Sequence, residues 1–250
     1  MKRILNIFFA FLSLVSVIGC KGGSGTLLPT VSGKAGEVIV ILGRDDWEGN
    51  LGNEVRELLA CDCPYLAQKE PLYSLVNVSP TGFSDLFKVH RNIVIFDINP
   101  QVQEPGVKLI NDAWAHPQCV LKISAADSES ASALLKEKSQ FVLNALEQAE
   151  RDRVIANTLL YEEKSIAPQV KEIMGGSPHF PSGYVLRKKS DDFIWIADEK
   201  QYTIQGVLIY KYPATLGAEE FTEANIIAHR NEFMKNNVPG MFDNTNMTTS

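Results

Sequence analysis

Acidic residues and a tryptophan are concentrated in residues 43–49, directly after an apolar stretch. Asp45, Asp46 and Glu48 carry carboxylates, which bind hard cations through oxygen, and Trp47 offers a ring face for stacking. The segment has neither phosphate-loop nor EF-hand spacing. It is therefore either a weak binding site formed by Asp45, Asp46 and Trp47, or a solvated acidic loop with Trp47 packed over it. The second interpretation is favoured.

Asp97 is the fourth candidate binding residue, because it ends a later apolar stretch and ligands of α/β sheets bind at the carboxyl ends of strands. In a shared crevice, Asp45 and Asp97 would be able to act as acid and base. Cys119, with His116 three residues before it, forms a second pair of the nucleophile and base type. That pair is weak, since Cys119 opens an apolar strand in which a thiol normally packs.

The remaining histidines and cysteines match no ligand spacing. The histidines are scattered, at positions 90, 116, 179 and 229, without H-E-x-x-H spacing. Cys61 and Cys63 lack the two-residue spacer of redox and zinc motifs. Together with Cys119 they are interpreted as buried or incidental thiols, as one bridge from Cys119 to Cys61 or Cys63, or, least favoured, as part of a metal site. The sequence predicts no metal site and no cofactor.

Aromatic side chains offer one further candidate surface. Trp114, Trp195, Tyr202, Tyr210 and Tyr212 would be able to line a groove for a sugar or a peptide. Packing of a sheet against a helix is the favoured interpretation.

Short apolar runs bounded by glycine, proline and polar residues predict the elements that position these side chains. Strands are expected at residues 37–42, 72–78, 92–98 and 119–123. Helical spacing is expected at residues 53–60, 83–87 and 131–149, the last with Ser124 and Asp127 as a capping box. The third strand is apolar enough to be covered on both faces. The helix after residue 149 continues to Gly175, with a kink or break at Pro168.

The second half has a different periodicity. Three antiparallel strands are predicted at residues 184–186, 193–196 and 203–212, followed by a helix at 218–235. The predicted fold class is α/β plus α+β: a mixed sheet with packed helices, followed by a smaller antiparallel-sheet unit with a C-terminal helix.

The N-terminus has the layout of a lipoprotein signal peptide. Lys2 and Arg3 precede an apolar run that is too short to span a bilayer and ends at Gly19 and Cys20. The VIGC motif resembles the bacterial lipobox. This resemblance implies cleavage after residue 19 and acylation of Cys20, with fatty chains such as palmitate inserted in the bilayer. Glycines and serines in residues 20–36 are typical of a flexible tether.

Charge excludes one class of partner. Removing residues 1–19 takes away Lys2 and Arg3 and no acidic residue, which changes the formal charge from −6 to −8. A protein this acidic is a poor ligand for nucleic acid. No nucleic-acid partner is expected.

Several segments together resemble a family of Bacteroidetes envelope lipoproteins known as domain of unknown function 4837. The segments are WEGNLG at 47–52, EPLY at 70–73, RNIVIFDI at 91–98, WAHPQ at 114–118, DFIW at 192–195, GVLIYKYP at 206–213 and NNVPG at 236–240. The resemblance implies an envelope compartment and a fold outline, and no reaction. Family members continue beyond the segment that resembles residues 243–249, so we expect the protein to be either short or truncated.

These features predict a signal peptide at 1–19, a tether at 20–36, an α/β unit at 37–150, a helical connection at 151–176 and an α+β unit at 177–250. We expect an exported, non-catalytic binding or assembly module. It would be attached to the lipid bilayer through acylated Cys20 and would contact an envelope protein or glycan. Residues 21–25 contain no acidic residue, which in such lipoproteins suggests a periplasm-facing domain. The alternative is an envelope hydrolase acting on peptide or glycan.

Overall fold

The protein has two compact units, one up to Ala149 and one from Glu150 onward. The computed structural model describes residues 27–64, 66, 68–201, 204–215, 217–240 and 242–248. Each unit has its own sheet and its own buried core.

Valine and isoleucine dominate the central strands of the first unit, because β-branched side chains fit a buried, pleated surface. The strands are β1 (Glu37–Ile41), β2 (Ser74–Val78), β3 (Asn92–Ile98), β4 (Gly106–Asn111) and β5 (Cys119–Ala125). Their order in the sheet is β2-β1-β3-β5-β4, with β4 antiparallel to β5 and all other neighbours parallel. The predicted mixed sheet is confirmed, whereas sequence analysis missed β4.

The two faces of this sheet are covered unequally. Val40, Val94 and Leu121 are neighbours across three strands and are fully buried in the larger core cluster. Ile93 points to the opposite face, into a smaller cluster, and Ile95 on that face is only partly buried. The expectation that β3 is covered on both faces is therefore wrong for its carboxyl half.

Helices cover the face that holds the larger core. The helices of the first unit are α1 (Arg44–Glu48), α2 (Asn50–Leu59), α3 (Asp85–Lys88), α4 (Ser128–Glu137) and the first part of α5 (Ser139–Leu160), which continues into the second unit. Val55 of α2 and Leu135 of α4 are buried in the same cluster as β1, β3 and β5. These two helices therefore lie on one side of the sheet.

Two local predictions were wrong. The acidic segment after β1 is helical, and Asp45 and Asp46 lie in its first turn, where the helix dipole favours carboxylates. Ser124 belongs to β5, so it is not part of a cap. Instead, Asp127 caps α4 and accepts a hydrogen bond from the Ser130 amide at 2.7 Å.

The second unit contains a three-stranded antiparallel sheet and a C-terminal helix, as the sequence predicted. Its elements are α6 (Ala167–Met174), β6 (Val185–Lys189), β7 (Phe193–Glu199), β8 (Ile204–Tyr210), a 3₁₀ helix (Gly217–Phe221) and α7 (Glu223–Asn237). Pro168 lies in the first turn of α6, where its missing amide hydrogen costs nothing. Gly175 ends α6 with φ of 79°, a left-handed conformation that favours glycine.

The central strand β7 is buried on both faces. Ile194 and Ile196 pack toward Val170 of α6, while Phe193 packs toward Met234 of α7. The sheet therefore separates two small cores, one for each flanking helix.

Leu121 and Leu109 allow a matched test of the first core, since they are partners in the β4–β5 register. Leu121 is fully buried and Leu109 is 38% exposed. We expect Leu121→Ala to lower the free energy of unfolding by roughly 2–5 kcal/mol, because it leaves a cavity under the helices. Leu109→Ala should cost about 1 kcal/mol or less. Urea denaturation of the two variants measures the difference, and equal losses would contradict this assignment of the core.

Candidate functional site

A cleft of about 410 Å³ opens where α1 and α2 approach α4. The helices that follow β1 and β5 pack on the same face of the sheet. Strand β3 lies between these two strands, but the chain leaves it for the edge strand β4 and places no helix there. The absence of a helix after β3 leaves a gap at the carboxyl ends of the parallel strands, where α/β sheets bind ligands.

Four carboxylates and two serines give this cleft its chemistry, and it is called the carboxylate cleft below. It is lined by Asp45, Asp46, Gly49, Asn50, Leu51, Glu54, Ser128, Glu129 and Ser132.

Hydrogen bonds from one side of α4 join the two helical walls. Ser128 Oγ donates to Asp46, and Ser132 Oγ donates to Glu54. Lys136, one turn further along α4, forms an ion pair with Glu54 at 2.7 Å. Ser128, Ser132 and Lys136 are four residues apart, so all three lie on one face of the helix. Asp46 and Glu54 therefore hold the walls of the cleft together.

The pKa of Glu54 reflects this position. Burial raises the pKa, but hydrogen bonds from Lys136 and Ser132 and the charge of Lys136 together lower it below its ordinary value. Glu54 is therefore ionised at neutral pH while most of its side chain is buried, with 18% exposed.

Three other cleft residues leave their polar groups toward solvent. Asp45, Asn50 and Glu129 are exposed. Within the described part of the chain, their side chains make no hydrogen bond or ion pair, so they are available to a ligand.

Trp47, predicted as a stacking residue, packs within its own unit. It lies against the larger core, and the Arg56 guanidinium sits 4.6 Å from the centroid of its ring. Arg56 also donates to the Trp47 carbonyl oxygen at 3.0 Å. A Cβ at Gly52 would lie 1.9 Å from that oxygen, so the close approach of the two helices requires glycine. Trp47 does not line the carboxylate cleft.

Asp97 is not brought to this cleft. Its neighbour Phe96 points into the larger core, and side chains alternate along a strand, so Asp97 projects from the opposite face. There it pairs with Lys122 at 2.7 Å. Asp45 and Asp97 therefore lie on different sides of the sheet and do not form an acid–base pair.

Cys119 and His116 also serve different structures. Cys119 is 1% exposed, and its thiol contacts the Ala145 carbonyl oxygen at 3.8 Å. The His116 imidazole is largely exposed and bonds Asp112 at 2.9 Å. A nucleophile buried under α5 is inaccessible to substrate.

The structure also bears on the other cysteines and on metal binding. The three described cysteines form no disulfide, so the predicted bridge from Cys119 to Cys61 or Cys63 is wrong, and Cys61 is exposed while Cys119 is buried. Across the described residues, no group of three or more histidine, cysteine, aspartate or glutamate side chains is arranged to hold a metal ion.

Of the five aromatic residues that were candidates for lining a groove, Trp114 belongs to the first unit and the other four belong to the second. Trp114 packs edge-on against Phe83 in the first unit. Trp195 and Tyr210 pack against the α7 core of the second unit, and Tyr212 lines a cleft there. Tyr202 lies outside the described residues.

Cys20, the predicted lipidation site, also lies outside the described residues, as does the predicted signal peptide. In the part of the chain that is described, no helix combines the length and apolar character needed to cross a bilayer.

Sequence analysis missed Glu54, Ser128, Glu129 and Ser132 as cleft residues. Ser128 lies 82 positions after Asp46. Only the strand order places α4 beside α2, so no local pattern reveals this contact. The one available signal was the four-residue spacing of Ser128, Ser132 and Lys136.

Comparison with known families divides the chain in two. A family model described as domain of unknown function (DUF8532) matches residues 31–158. A second, domain of unknown function (DUF4837), matches residues 163–250. The resemblance to DUF4837 noted above is therefore correct for the second half, whereas the four segments between residues 47 and 118 lie in the DUF8532 match. No curated protein and no solved structure matches the chain.

The hydrogen bond between Ser128 and Asp46 can be separated from the exposed charge of Asp45. Asp46→Ala should lower the free energy of unfolding by about 1 kcal/mol, because it removes a partly buried charged hydrogen bond. Asp45→Ala should change it by less than about 0.5 kcal/mol, as an exposed substitution does. Both are measured by urea denaturation.

A double-mutant cycle isolates the bond itself. Combined with Ser128→Ala, Asp46→Ala should show a coupling energy of roughly 0.5–1 kcal/mol. A coupling energy near zero would mean that the two helices are held together by other contacts.

Proposed function

The chain belongs to the DUF8532 family and carries a DUF4837 domain at residues 163–250, and from this premise we propose that it is an exported lipoprotein acting as a binding module. The carboxylate cleft is its binding site. The observation that carries the proposal is a cleft at the carboxyl ends of the parallel strands whose outer polar groups, Asp45, Asn50 and Glu129, are not used by the fold.

The charge of the cleft favours a basic ligand. Its lining includes Asp45, Asp46, Glu54 and Glu129 and no lysine or arginine. Hydrogen bonds from Ser128 and Ser132 satisfy two of these carboxylates only in part, since each carboxylate has about four acceptor positions. A lysine or arginine side chain of an envelope protein supplies the matching donors.

Binding is favoured over the alternative, an envelope hydrolase acting on peptide or glycan. Hydrolysis requires its acid and base, or its nucleophile and base, within hydrogen-bond reach of one substrate. Asp45 and Asp97 are on opposite faces of the sheet, and Cys119 is buried while His116 is exposed.

The same proposal includes the anchor and the compartment. The cationic and apolar N-terminus followed by the lipobox motif supports acylation of Cys20. Residues 20–36 have the composition of a flexible tether, but the backbone of residues 29–36 hydrogen-bonds to the first unit, so only the part before residue 29 is proposed as the tether. The absence of acidic residues at 21–25 supports a domain that faces the periplasm.

The anchor is tested by changing the acyl acceptor. Wild-type protein should separate with the detergent phase and carry a fatty-acid label, because several acyl chains hold a protein firmly on a bilayer. Cys20→Ser should lose the label and give an unprocessed or soluble species.

Proteinase added to intact cells should spare the wild-type domain. An unlabelled, soluble wild-type protein would refute the anchor, and rapid proteolysis on intact cells would refute the orientation.

The binding site is tested by photo-crosslinking in cells. A photo-reactive amino acid at Asn50, on the rim of the carboxylate cleft, should give a discrete adduct with an envelope protein. The same amino acid at Ala35 is the control, because Ala35 is exposed and lies two residues before β1, at the opposite end of the strands. It should give no such adduct.

Charge reversal completes this test. Asp45→Lys combined with Glu129→Lys should remove the Asn50 adduct, since the cleft would then repel a basic ligand. Asp85→Lys is the control, because the Asp85 side chain is 97% exposed and outside the cleft. An adduct that persists after reversal in the cleft, or that is lost equally in the control, would contradict the proposal.

A further inference from the structure

A stack of aromatic rings in the second unit runs from its core to its surface. Phe193 is buried and lies parallel to Phe233, with centroids 6.2 Å apart. Phe233 stacks on Tyr210 at 4.5 Å, and Tyr212 stacks on His229 at 3.8 Å. Tyr210 and Tyr212 are 6.2 Å apart and connect the two pairs.

The outer part of this stack forms the wall of a cleft of about 510 Å³, here called the aromatic cleft. Partly buried rings of Tyr212 and Phe233 line it, together with the His229 imidazole. The polar side chains of Asp192, Glu232 and Asn236 also line it.

A buried carboxylate fixes the imidazole in this wall. Glu220 is 1% exposed, and its Oε2 lies 3.1 Å from His229 Nε2. Its Oε1 accepts hydrogen bonds from the Thr215 amide at 2.7 Å and from the Thr215 hydroxyl at 3.3 Å. Burying a carboxylate is costly unless its oxygens are hydrogen-bonded, and here both oxygens are used. The imidazole is therefore held in one orientation.

The bond to Glu220 leaves the other ring nitrogen of His229 available to a ligand. Nε2 faces the buried carboxylate, and no described residue hydrogen-bonds Nδ1. A hydroxyl group both donates and accepts hydrogen bonds, so it matches Nδ1 beside an aromatic ring.

The charged side chains of the aromatic cleft are of both signs, two acidic and one basic. Asp192 and Glu232 are acidic, and Lys211 on the same wall is basic, with its ammonium group held by the Ile173 carbonyl oxygen at 3.0 Å. This contrasts with the carboxylate cleft, whose lining is acidic throughout. A neutral ligand is therefore favoured here over a strongly charged one.

We propose that the aromatic cleft is a carbohydrate-binding site, in which the rings of Tyr212 and Phe233 contact the apolar face of a neutral sugar. Aromatic rings bury large apolar areas at low entropic cost. His229, Glu232 and Asn236 accept and donate hydrogen bonds to the sugar hydroxyls. Glu220 is a positioning residue, because it touches His229 and not the sugar. This site is separate from the carboxylate cleft and does not depend on it.

The test uses the purified full chain and calorimetric titration with three neutral trisaccharides: chitotriose, maltotriose and mannotriose. At least one should bind. Tyr212→Ala should weaken that binding roughly tenfold, as expected when a ring at the centre of a site is truncated. His229→Gln should weaken it severalfold, because glutamine cannot reproduce the ring nitrogen that Glu220 and Tyr212 hold in place. Tyr212→Phe keeps the ring and should retain most of the affinity.

Matched controls exist in the same unit. Tyr161 is a 58% exposed tyrosine outside the cleft, and His179 bonds Glu162 at 2.7 Å on the surface. Tyr161→Ala and His179→Gln should leave affinity within about twofold of wild type. Asp45→Lys should also leave it unchanged, so failure at one cleft is distinguishable from failure at the other. A thermal melt of each variant shows that it is folded.

Two results would overturn the proposal. One is the absence of binding by all three trisaccharides to folded wild-type protein, including the case in which an aromatic tripeptide binds at Tyr212 instead. The other is binding that folded Tyr212→Ala and His229→Gln leave at the level of the controls.

Discussion

The first unit depends on the burial of parallel backbone in β1, β3 and β5. Val38, Val40, Ile93, Val94, Val120 and Leu121 are all fully buried, so water is excluded from the centre of the sheet. Buried amide and carbonyl groups must be hydrogen-bonded, and the parallel ladders between these strands meet that requirement. Parallel strands cannot be joined by tight hairpins, so the chain has to cross over between them. The position of α2, in the crossover from β1 to β2, follows from this need.

The carboxylate cleft follows from the connection between two parallel strands, from β3 to β5, that contains a strand instead of a helix. After β3 the chain turns to β4, which is antiparallel and lies at the edge of the sheet, and only then returns to β5. The helices after β1 and β5 therefore flank a strand that has no helix of its own on that face. Asp46 and Glu54 bridge the gap through Ser128, Ser132 and Lys136. The same strand alternation that buries Phe96 sends Asp97 to the other face.

Sequence patterns predicted the parts of the fold that burial dictates. Continuous apolar runs identified β1, β3 and β5, because only buried strands tolerate them, and alternation identified the second sheet. Strand β4 was missed because four of its six residues are exposed and its pattern is weak. The acidic segment at 44–48 was interpreted as a loop from its polarity alone, although aspartates are favourable in a first helical turn. Of the residues that line the carboxylate cleft, Asp45 and Asp46 were predicted because they follow the carboxyl end of a strand. Glu54 and Glu129 were not, since contacts across about eighty residues depend on strand order.

In each unit, a largely buried glutamate supports the wall of the proposed binding cleft. In a binding surface, the side chains must be held in place by contacts that leave the polar groups facing the ligand available. In the first unit Glu54 is largely buried and takes its donors from Ser132 and Lys136. In the second, Glu220 is buried and takes its donors from Thr215 and His229. Each carboxylate is ionisable, costly to bury and hydrogen-bonded within its own unit. Such a residue contributes less to stability than an apolar one of similar size, so its value lies in fixing the neighbours that face the cleft. In the two binding sites proposed above, Glu54 and Glu220 would therefore hold the cleft walls in place, while exposed or partly buried residues such as Asp45 and Tyr212 would contact the ligand.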